Sequence, residues 1–136
     1  SILAKIEDNQ AGADDAIMLD KDGFVAETNA TNIFLVDSGA VRTPRAVACP
    51  EGATRAAILD ICAEADISAF EEDLSLTRFY RSDEVFCTGT MGELAPVLEI
   101  DGRVIGNGEP GQFMLKLSGL FQELVLSEGF PLVNHS

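Results

Sequence analysis

The stretch GFVAETNATNIFLV, from Gly23 to Val36, decides how the chain folds. It contains two short apolar runs separated by the mostly polar hexapeptide Glu27–Asn32. A simple hairpin uses two or three turn residues, commonly with glycine, and this hexapeptide contains no glycine. The stretch therefore predicts two strands joined by a polar connection, which begins with a carboxylate, Glu27, at the end of an apolar strand.

Turn signals extend this strand pattern in both directions. Asp22–Gly23 precedes the stretch, Ser38–Gly39 follows it, and a second Asp-Gly pair lies at Asp101–Gly102. Asp-Gly between apolar runs is a strong hairpin signal. The strands predicted on this basis are Ala16–Leu19, Phe24–Thr28, Ile33–Val36 and Glu84–Cys87.

Helical periodicity appears between and beside these strands. The opening SILAKIEDNQAGA predicts an amphipathic helix, because Ile2, Leu3 and Ile6 would share one helical face. The segment EGATRAAILDICAEADI predicts a second helix. Two more are a short helix near Ser75–Tyr80, capped by Asp73 or Ser75, and a last helix over roughly Gln112–Leu126. Hairpins interspersed with helices predict a mixed α/β domain.

Composition limits the class of protein. The 136 residues are 46% hydrophobic, enough for one domain with a real core. With 23 acidic and 9 basic residues the net charge is −14, which repels nucleic acid and anionic membrane surfaces. No apolar run has the length of a membrane span, and no signal peptide is visible.

The cysteines and the histidine indicate no metal site. Cys49, Cys62 and Cys87 lie far apart without CxxC spacing, and His135 is the only histidine. This set does not suggest zinc binding. It favours a reduced, cytoplasmic compartment.

Two local features could bind a charged ligand. Glu27 taken alone is typical of a surface glutamate at a strand end. Gly52 lies at the expected N-cap of a helix, so the backbone N–H groups of Ala53, Thr54 and Arg55 would lack helical partners. Such a terminus binds phosphate through these donors and the helix dipole, although an ordinary glycine cap explains the same residues.

A third feature is CTGTMGEL, which follows a predicted strand. Thr88, Gly89, Thr90 and Gly92 would form a polar turn whose backbone can approach a ligand closely. A plain Thr/Gly loop explains these residues equally well. Each of the three features is therefore weak when it is taken alone.

In their order along the chain the segments resemble a known family. AETNATNIFLV, TP, PEGATR and DEVFCTGTMGELAPVLEIDGRVIGNGEPG together resemble the C-terminal half of the fold-type IV pyridoxal-phosphate aminotransferases, over Ala4 to about Leu120. That family includes branched-chain and D-amino acid aminotransferases and aminodeoxychorismate lyase. The resemblance implies the C-terminal domain of the D-amino acid aminotransferase-like fold, a barrel-like sheet with hairpins and flanking helices, and a homodimer.

The resemblance also implies a cofactor, pyridoxal 5′-phosphate, and a role for each matching residue. Glu27 would hold the proton on the pyridine nitrogen, which deepens the electron sink that the cofactor provides. The phosphate would lie on one side against the helix start and on the other against the Thr/Gly turn. The implied cofactor-binding residues are Glu27, Gly52, Ala53, Thr54, Gly89 and Thr90; the implied substrate-binding residues are Thr90, Met91 and Gly92.

The chain departs from the family pattern in four respects. GEPGQFM stands where Gly-Pro-x-Thr is usual at the start of the last helix. Ala53 stands where isoleucine or valine is common, and Pro50–Glu51 stands where Leu-Pro is common. None of Lys5, Lys21 and Lys116 matches the Schiff-base lysine, whose place lies a few residues before Ser1. We therefore expect residues 1–136 to be the C-terminal cofactor-binding domain of such an enzyme, lacking the N-terminal domain and the lysine, with no catalytic residue of its own.

Three functions stay open on this basis. The parent enzyme would transfer an amino group between a branched-chain or similar amino acid and a 2-oxo acid. Alternatively it would be an aminodeoxychorismate lyase, which eliminates pyruvate from the same kind of substrate complex. The third possibility is a non-catalytic chain, either a degenerate relative or a partner of a polypeptide that carries the lysine.

Overall fold

The computed structural model describes residues 3–9, 15–19, 23–28, 32–45, 52–88 and 93–128, and side chains over most of residues 23–25, 32–45, 54–88 and 93–127. Nine strands and three helices lie in these ranges. The strands are β1 Leu3–Asn9, β2 Asp15–Leu19, β3 Val25–Thr28, β4 Ile33–Asp37, β5 Ala40–Thr43, β6 Ala69–Glu71, β7 Glu84–Thr88, β8 Leu94–Ile100 and β9 Arg103–Val104. The helices are α1 Gly52–Glu64, α2 Leu76–Tyr80 and α3 Gln112–Glu128.

The strands form one sheet in the order β3-β2-β1-β8-β7-β4-β5-β6, with β9 paired to β8. All pairings are antiparallel except that of β5 with β6. A flat sheet would separate β3 from β4 by five strand spacings, about 24 Å. The connection from Thr28 to Ile33 reaches at most about 18 Å when fully extended. The sheet must therefore curl, which agrees with the expected barrel-like arrangement.

The central strand β4 is buried on both faces and so separates two cores. Ile33 and Leu35 face a core inside the curled sheet, whereas Phe34 and Val36 face a second core beneath α1 and α3. Alternate side chains of a strand point to opposite faces, so one apolar run supplies both cores. On the helix side the Phe34 and Phe86 rings stack with centroids 5.1 Å apart.

Local chemistry explains several of the predicted elements. Ser75 caps α2, with its hydroxyl accepting from the Arg78 N–H at 3.4 Å. At the two predicted turns Ser38–Gly39 and Asp101–Gly102 both residues have positive φ, between 51° and 77°, as a type I′ hairpin turn requires. The mixed α/β fold, its hairpins and its flanking helices are confirmed.

The prediction of a helix at the start of the chain was wrong. Leu3–Asn9 is the strand β1, and Lys5 lies within it. This strand pairs with β2 on one side and β8 on the other. A short isolated helix is marginal in water, and two neighbouring strand edges offer hydrogen bonds to the same backbone. Pairing with β2 and with the distant strand β8 therefore outweighs the local helical periodicity.

Within the described ranges, no helix is both long enough and apolar enough to cross a membrane.

Candidate functional site

The described residues next to the segments predicted to carry function lie at one end of the sheet. Because β4 and β7 are antiparallel, the start of β4 lies beside the end of β7, with Ile33 opposite Cys87. The end of β5 lies at the same place, where the Thr43 hydroxyl donates to the Ile33 carbonyl at 2.8 Å. The polar connection before β4 and the Thr/Gly turn after β7 therefore leave the sheet from neighbouring points.

Asn32 and Thr88 join these two connections directly. The Asn32 N–H donates to Thr88 Oγ1 at 3.0 Å, and the Thr88 N–H donates to the Asn32 carbonyl at 3.0 Å. Both residues are buried, with 5% and 3% of their surface exposed. Sequence reasoning placed Thr88 in the turn, whereas the structure makes it the last residue of β7.

The start of α1 is attached to the same end of the sheet through Arg55. The Arg55 guanidinium donates to the carbonyl of Pro44, just after β5, at 3.2 Å, and pairs with Glu71 of β6 at 2.7 Å. Thr54, in the first turn of the helix, is buried. The helix begins at Gly52 itself, so Gly52 is its first residue and not the N-cap that the sequence predicted. Its first N–H donors have no helical acceptors.

Glu27 lies in β3, where its backbone is opposite Met18 of β2. The register shifts by one residue beside this pair, between Met18 and Leu19, as in a β-bulge. The strand is held to the rest of the domain by a hydrogen bond from the Val25 N–H to the Leu74 carbonyl at 2.7 Å. Only residues 29–31 separate β3 from Asn32, so Glu27 is tethered to the same end of the sheet.

Part of the predicted site lies outside the described residues. Gly89, Thr90, Met91 and Gly92 lie in the connection from β7 to β8, between the paired residues Thr88 and Leu94. The side-chain positions of Glu27 and Ala53 are likewise undescribed. The predicted roles of these residues therefore stay predictions.

Sequence reasoning missed two residues that organise this end of the sheet. The Arg55 side chain was overlooked because only its backbone N–H was considered. The Thr88 hydroxyl was assigned to the polar turn, although a threonine that directly follows an apolar strand is also a candidate to terminate that strand. Among the described residues, no group of three or more His, Cys, Asp or Glu side chains could hold a metal ion.

Comparison with known proteins identifies the family. The profile of the amino-transferase class IV family matches residues 1–100. The chain therefore belongs to the class IV aminotransferases.

Individual relatives agree with this family. The chain is 51% identical over 132 residues to branched-chain-amino-acid aminotransferase-like protein 2 of Arabidopsis thaliana, covering 97% of this chain and 24% of that protein. It is 42% identical over 125 residues to the branched-chain-amino-acid aminotransferase of Pseudomonas aeruginosa, covering 92% and 41%. The chain thus spans less than half the length of these relatives.

Solved structures show the same fold. A branched-chain amino acid aminotransferase in complex with N-(5'-phosphopyridoxyl)-L-glutamate matches with a TM-score of 0.79 and 35% identity, covering 88% of this chain and 42% of that one. A putative 4-amino-4-deoxychorismate lyase from Legionella pneumophila matches with a TM-score of 0.72 and 30% identity, covering 82% and 41%.

Proposed function

We propose that residues 1–136 are the C-terminal cofactor-binding domain of a pyridoxal-phosphate enzyme that transfers an amino group between a branched-chain or similar amino acid and a 2-oxo acid. The observation that carries this proposal is that Asn32, Thr88 and the Arg55–Pro44 contact, which attaches the first turns of α1, lie at one end of the sheet. Similarity to branched-chain aminotransferases supports the reaction class.

The residues present fit a phosphorylated cofactor. The first turn of α1 offers backbone N–H groups and the positive end of the helix dipole, together with a buried hydroxyl at Thr54. Gly89 and Thr90 directly follow the adjacent end of β7 in sequence. These two donor sets suit one phosphate group, because phosphate oxygens accept several hydrogen bonds at once.

Each residue of this chain then has a definite task. Glu27 holds a proton at the pyridine nitrogen, while Gly52, Ala53, Thr54, Gly89 and Thr90 hold the phosphate. Thr90, Met91 and Gly92 orient the substrate carboxylate through backbone groups. When bound, the cofactor withdraws electrons from the substrate Cα. A lysine outside this chain supplies the covalent anchor and the general base.

One assay, applied to the full-length enzyme and to the 136-residue chain, tests the reaction class. The full-length enzyme should convert L-leucine and 2-oxoglutarate to the branched-chain 2-oxo acid and glutamate, measured by mass spectrometry. The 136-residue chain is the control and should show no turnover, because no lysine occupies the family position. Turnover by the isolated chain would contradict the domain assignment, and the absence of turnover in the full-length enzyme would contradict the transaminase proposal.

A lyase is the second candidate, and similarity to the putative 4-amino-4-deoxychorismate lyase supports it. The two reactions differ in their need for an acceptor. A lyase releases pyruvate from aminodeoxychorismate without any 2-oxo acid, whereas a transaminase needs one. Pyruvate release without added acceptor would favour the lyase, and neither activity would favour a non-catalytic chain.

We also propose that the enzyme is a cytoplasmic homodimer. Cys62 and Cys87 are buried thiols rather than disulfides, which supports a reducing compartment.

Leu115 and Leu126 of α3 are 58% and 83% exposed, which supports a contact surface. Because the net charge of −14 opposes association, the dimer should be favoured by salt. Sedimentation at low and high salt would measure this, and a monomer at both would contradict the proposal.

A further inference from the structure

The hydrogen bonding between Asn32 and Thr88 departs from an ordinary strand ladder. In an antiparallel ladder, opposite residues of a hydrogen-bonded pair exchange two N–H···O=C bonds. Here the Thr88 N–H makes its normal bond to the Asn32 carbonyl at 3.0 Å. The Asn32 N–H instead donates to the Thr88 side-chain oxygen, Oγ1, at 3.0 Å. The hydroxyl has taken the place of the carbonyl.

This exchange of a carbonyl acceptor for a hydroxyl lies where the β4–β7 ladder ends. The last regular pair is Ile33 opposite Cys87, and the next residue on each strand belongs to the bond just described. Beyond it the chain runs from Asn32 back toward Glu27 and from Thr88 forward into Gly89 and Thr90. The Thr88 hydroxyl therefore joins Asn32 and Thr88, the described ends of the two connections.

We propose that Thr88 is a positioning residue, whose hydroxyl sets the distance between the connection that carries Glu27 and the turn that carries Gly89 and Thr90. This inference rests on the proposed function, in which Glu27 contacts the pyridine nitrogen and the turn contacts the phosphate. One bound cofactor would have to reach both contacts, so the separation of the two connections would have to match the ligand. Binding groups of a site must be held to within about 0.5 Å by the residues behind them.

Removing the hydroxyl would leave the buried Asn32 N–H without its acceptor. A buried donor without a partner is costly, so the connection would shift to regain a hydrogen bond. The shift would change the distance between Glu27 and the phosphate contacts without removing any group that touches the cofactor. Thr88 thus acts through the spacing of two loops and has no need to contact the ligand.

The test compares three variants of the full-length enzyme. Thr88→Val keeps the β-branched shape and removes the hydroxyl, and Thr88→Ser keeps the hydroxyl. Ser82→Ala is the matched control, because Ser82 is a buried hydroxyl, 4% exposed, that donates to the Phe79 carbonyl at 2.8 Å and lies before the opposite end of β7. The readouts are the dissociation constant of pyridoxal phosphate, titrated into apoenzyme, and the pH midpoint of the bound cofactor's absorption.

We expect Thr88→Val to weaken cofactor binding about tenfold and to shift the spectral midpoint, with Thr88→Ser close to wild type. Ser82→Ala should lower only the melting temperature. If Thr88→Val binds pyridoxal phosphate with wild-type affinity and its spectral midpoint is unchanged, this inference is overturned while the proposed function stands. Failure of the wild-type enzyme to bind pyridoxal phosphate would overturn the proposed function and, with it, this inference.

A measurement on the wild-type protein keeps the inference testable if Thr88→Val does not fold. The Asn32 amide should exchange with deuterium in the apoenzyme as slowly as the amide of Leu35 in the middle of β4, because its bond to Thr88 is buried and the inference requires this bond without the cofactor. Exchange as fast as that of an exposed loop amide would overturn the claim that the link pre-positions the two connections.

Discussion

The Glu84 carboxylate occupies the space that a side chain at position 111 would need. Glu84, the first residue of β7, directs its two oxygens to the start of α3 and accepts from the N–H groups of Phe113 and Met114, each at 3.0 Å. A Cβ on Gly111 would overlap Glu84 Cδ. Glycine is therefore required there by close approach, and the contact fixes α3 against the sheet.

Gly111→Ala should destabilise the domain. The added methyl group would displace the Glu84 carboxylate from the helix start, at an expected cost of about 1–3 kcal/mol in the free energy of unfolding. Gly119→Ala is the control, because nothing lies within 4 Å of a Cβ there and alanine is the better helix former by about 1 kcal/mol. Urea denaturation should show a lower free energy of unfolding for Gly111→Ala and a higher one for Gly119→Ala. Equal changes in the two variants would contradict the overlap between a Cβ at position 111 and Glu84.

Glu84→Gln should also destabilise the domain while leaving its shape unchanged. The amide retains one acceptor oxygen for two N–H donors and loses the negative charge that favours a helix N-terminus, so we expect a loss of about 1–2 kcal/mol. Glu64→Gln is the control, since Glu64 is exposed at the C-terminal end of α1, where a negative charge is unfavourable. Unchanged urea midpoints for Glu84→Gln would show that the cap does not contribute.

Stability should fall at alkaline pH because of Cys62. Burial raises the pKa of the Cys62 thiol from 9.0 to about 11. Below pH 9 the thiol is protonated in both the folded and the unfolded chain, so it adds no pH dependence. Between these pKa values the unfolded chain loses the proton and the folded chain keeps it, which lowers the free energy of unfolding as the pH rises.

Denaturation of wild type and Cys62→Ala between about pH 8 and about pH 11 isolates this contribution. The alanine variant loses some core packing at every pH, but its stability should fall less steeply above pH 9. Iodoacetamide reacts with the thiolate. It should leave Cys62 unlabelled in the native protein and label it once the protein is unfolded. Parallel pH profiles together with rapid native labelling would contradict the assignment.

Glu27→Gln in the full-length enzyme should keep the cofactor bound and slow the reaction. An amide cannot hold the ring-nitrogen proton by charge, whereas the proposed phosphate contacts are unchanged. A charge-assisted hydrogen bond contributes roughly 1.5–3 kcal/mol, which corresponds to roughly a 10- to 100-fold lower rate. Single-turnover kinetics with titration of the cofactor spectrum measures both. Glu123→Gln, an exposed change on α3, is the control, and an equal rate for both variants would mean that Glu27 is a surface residue.

The sequence by itself determined the elements whose causes are local. Ser38–Gly39 and Asp101–Gly102 are turns because residues with positive φ are needed there, and small or polar residues tolerate it. The apolar run Ile33–Val36 is a strand between two cores, and Ser75 caps a short helix. The order of the motifs also established the family, because it depends on the spacing of residues along the chain and not on their contacts.

Only the tertiary structure decided the rest. Leu3–Asn9 has helical periodicity but is a strand, because it pairs with the adjacent strand β2 on one side and with β8, from far along the chain, on the other. Glu84 accepts from Phe113 at the start of α3 across 29 residues, and Thr88 accepts from Asn32 across 56 residues. No local pattern encodes such pairs. The Thr88 pair forms because the antiparallel pairing of β4 with β7 puts the start of one strand beside the end of the other. The Glu84 pair forms because α3 packs against the sheet beside the start of β7. In both places backbone N–H groups need an acceptor, and a side chain supplies it.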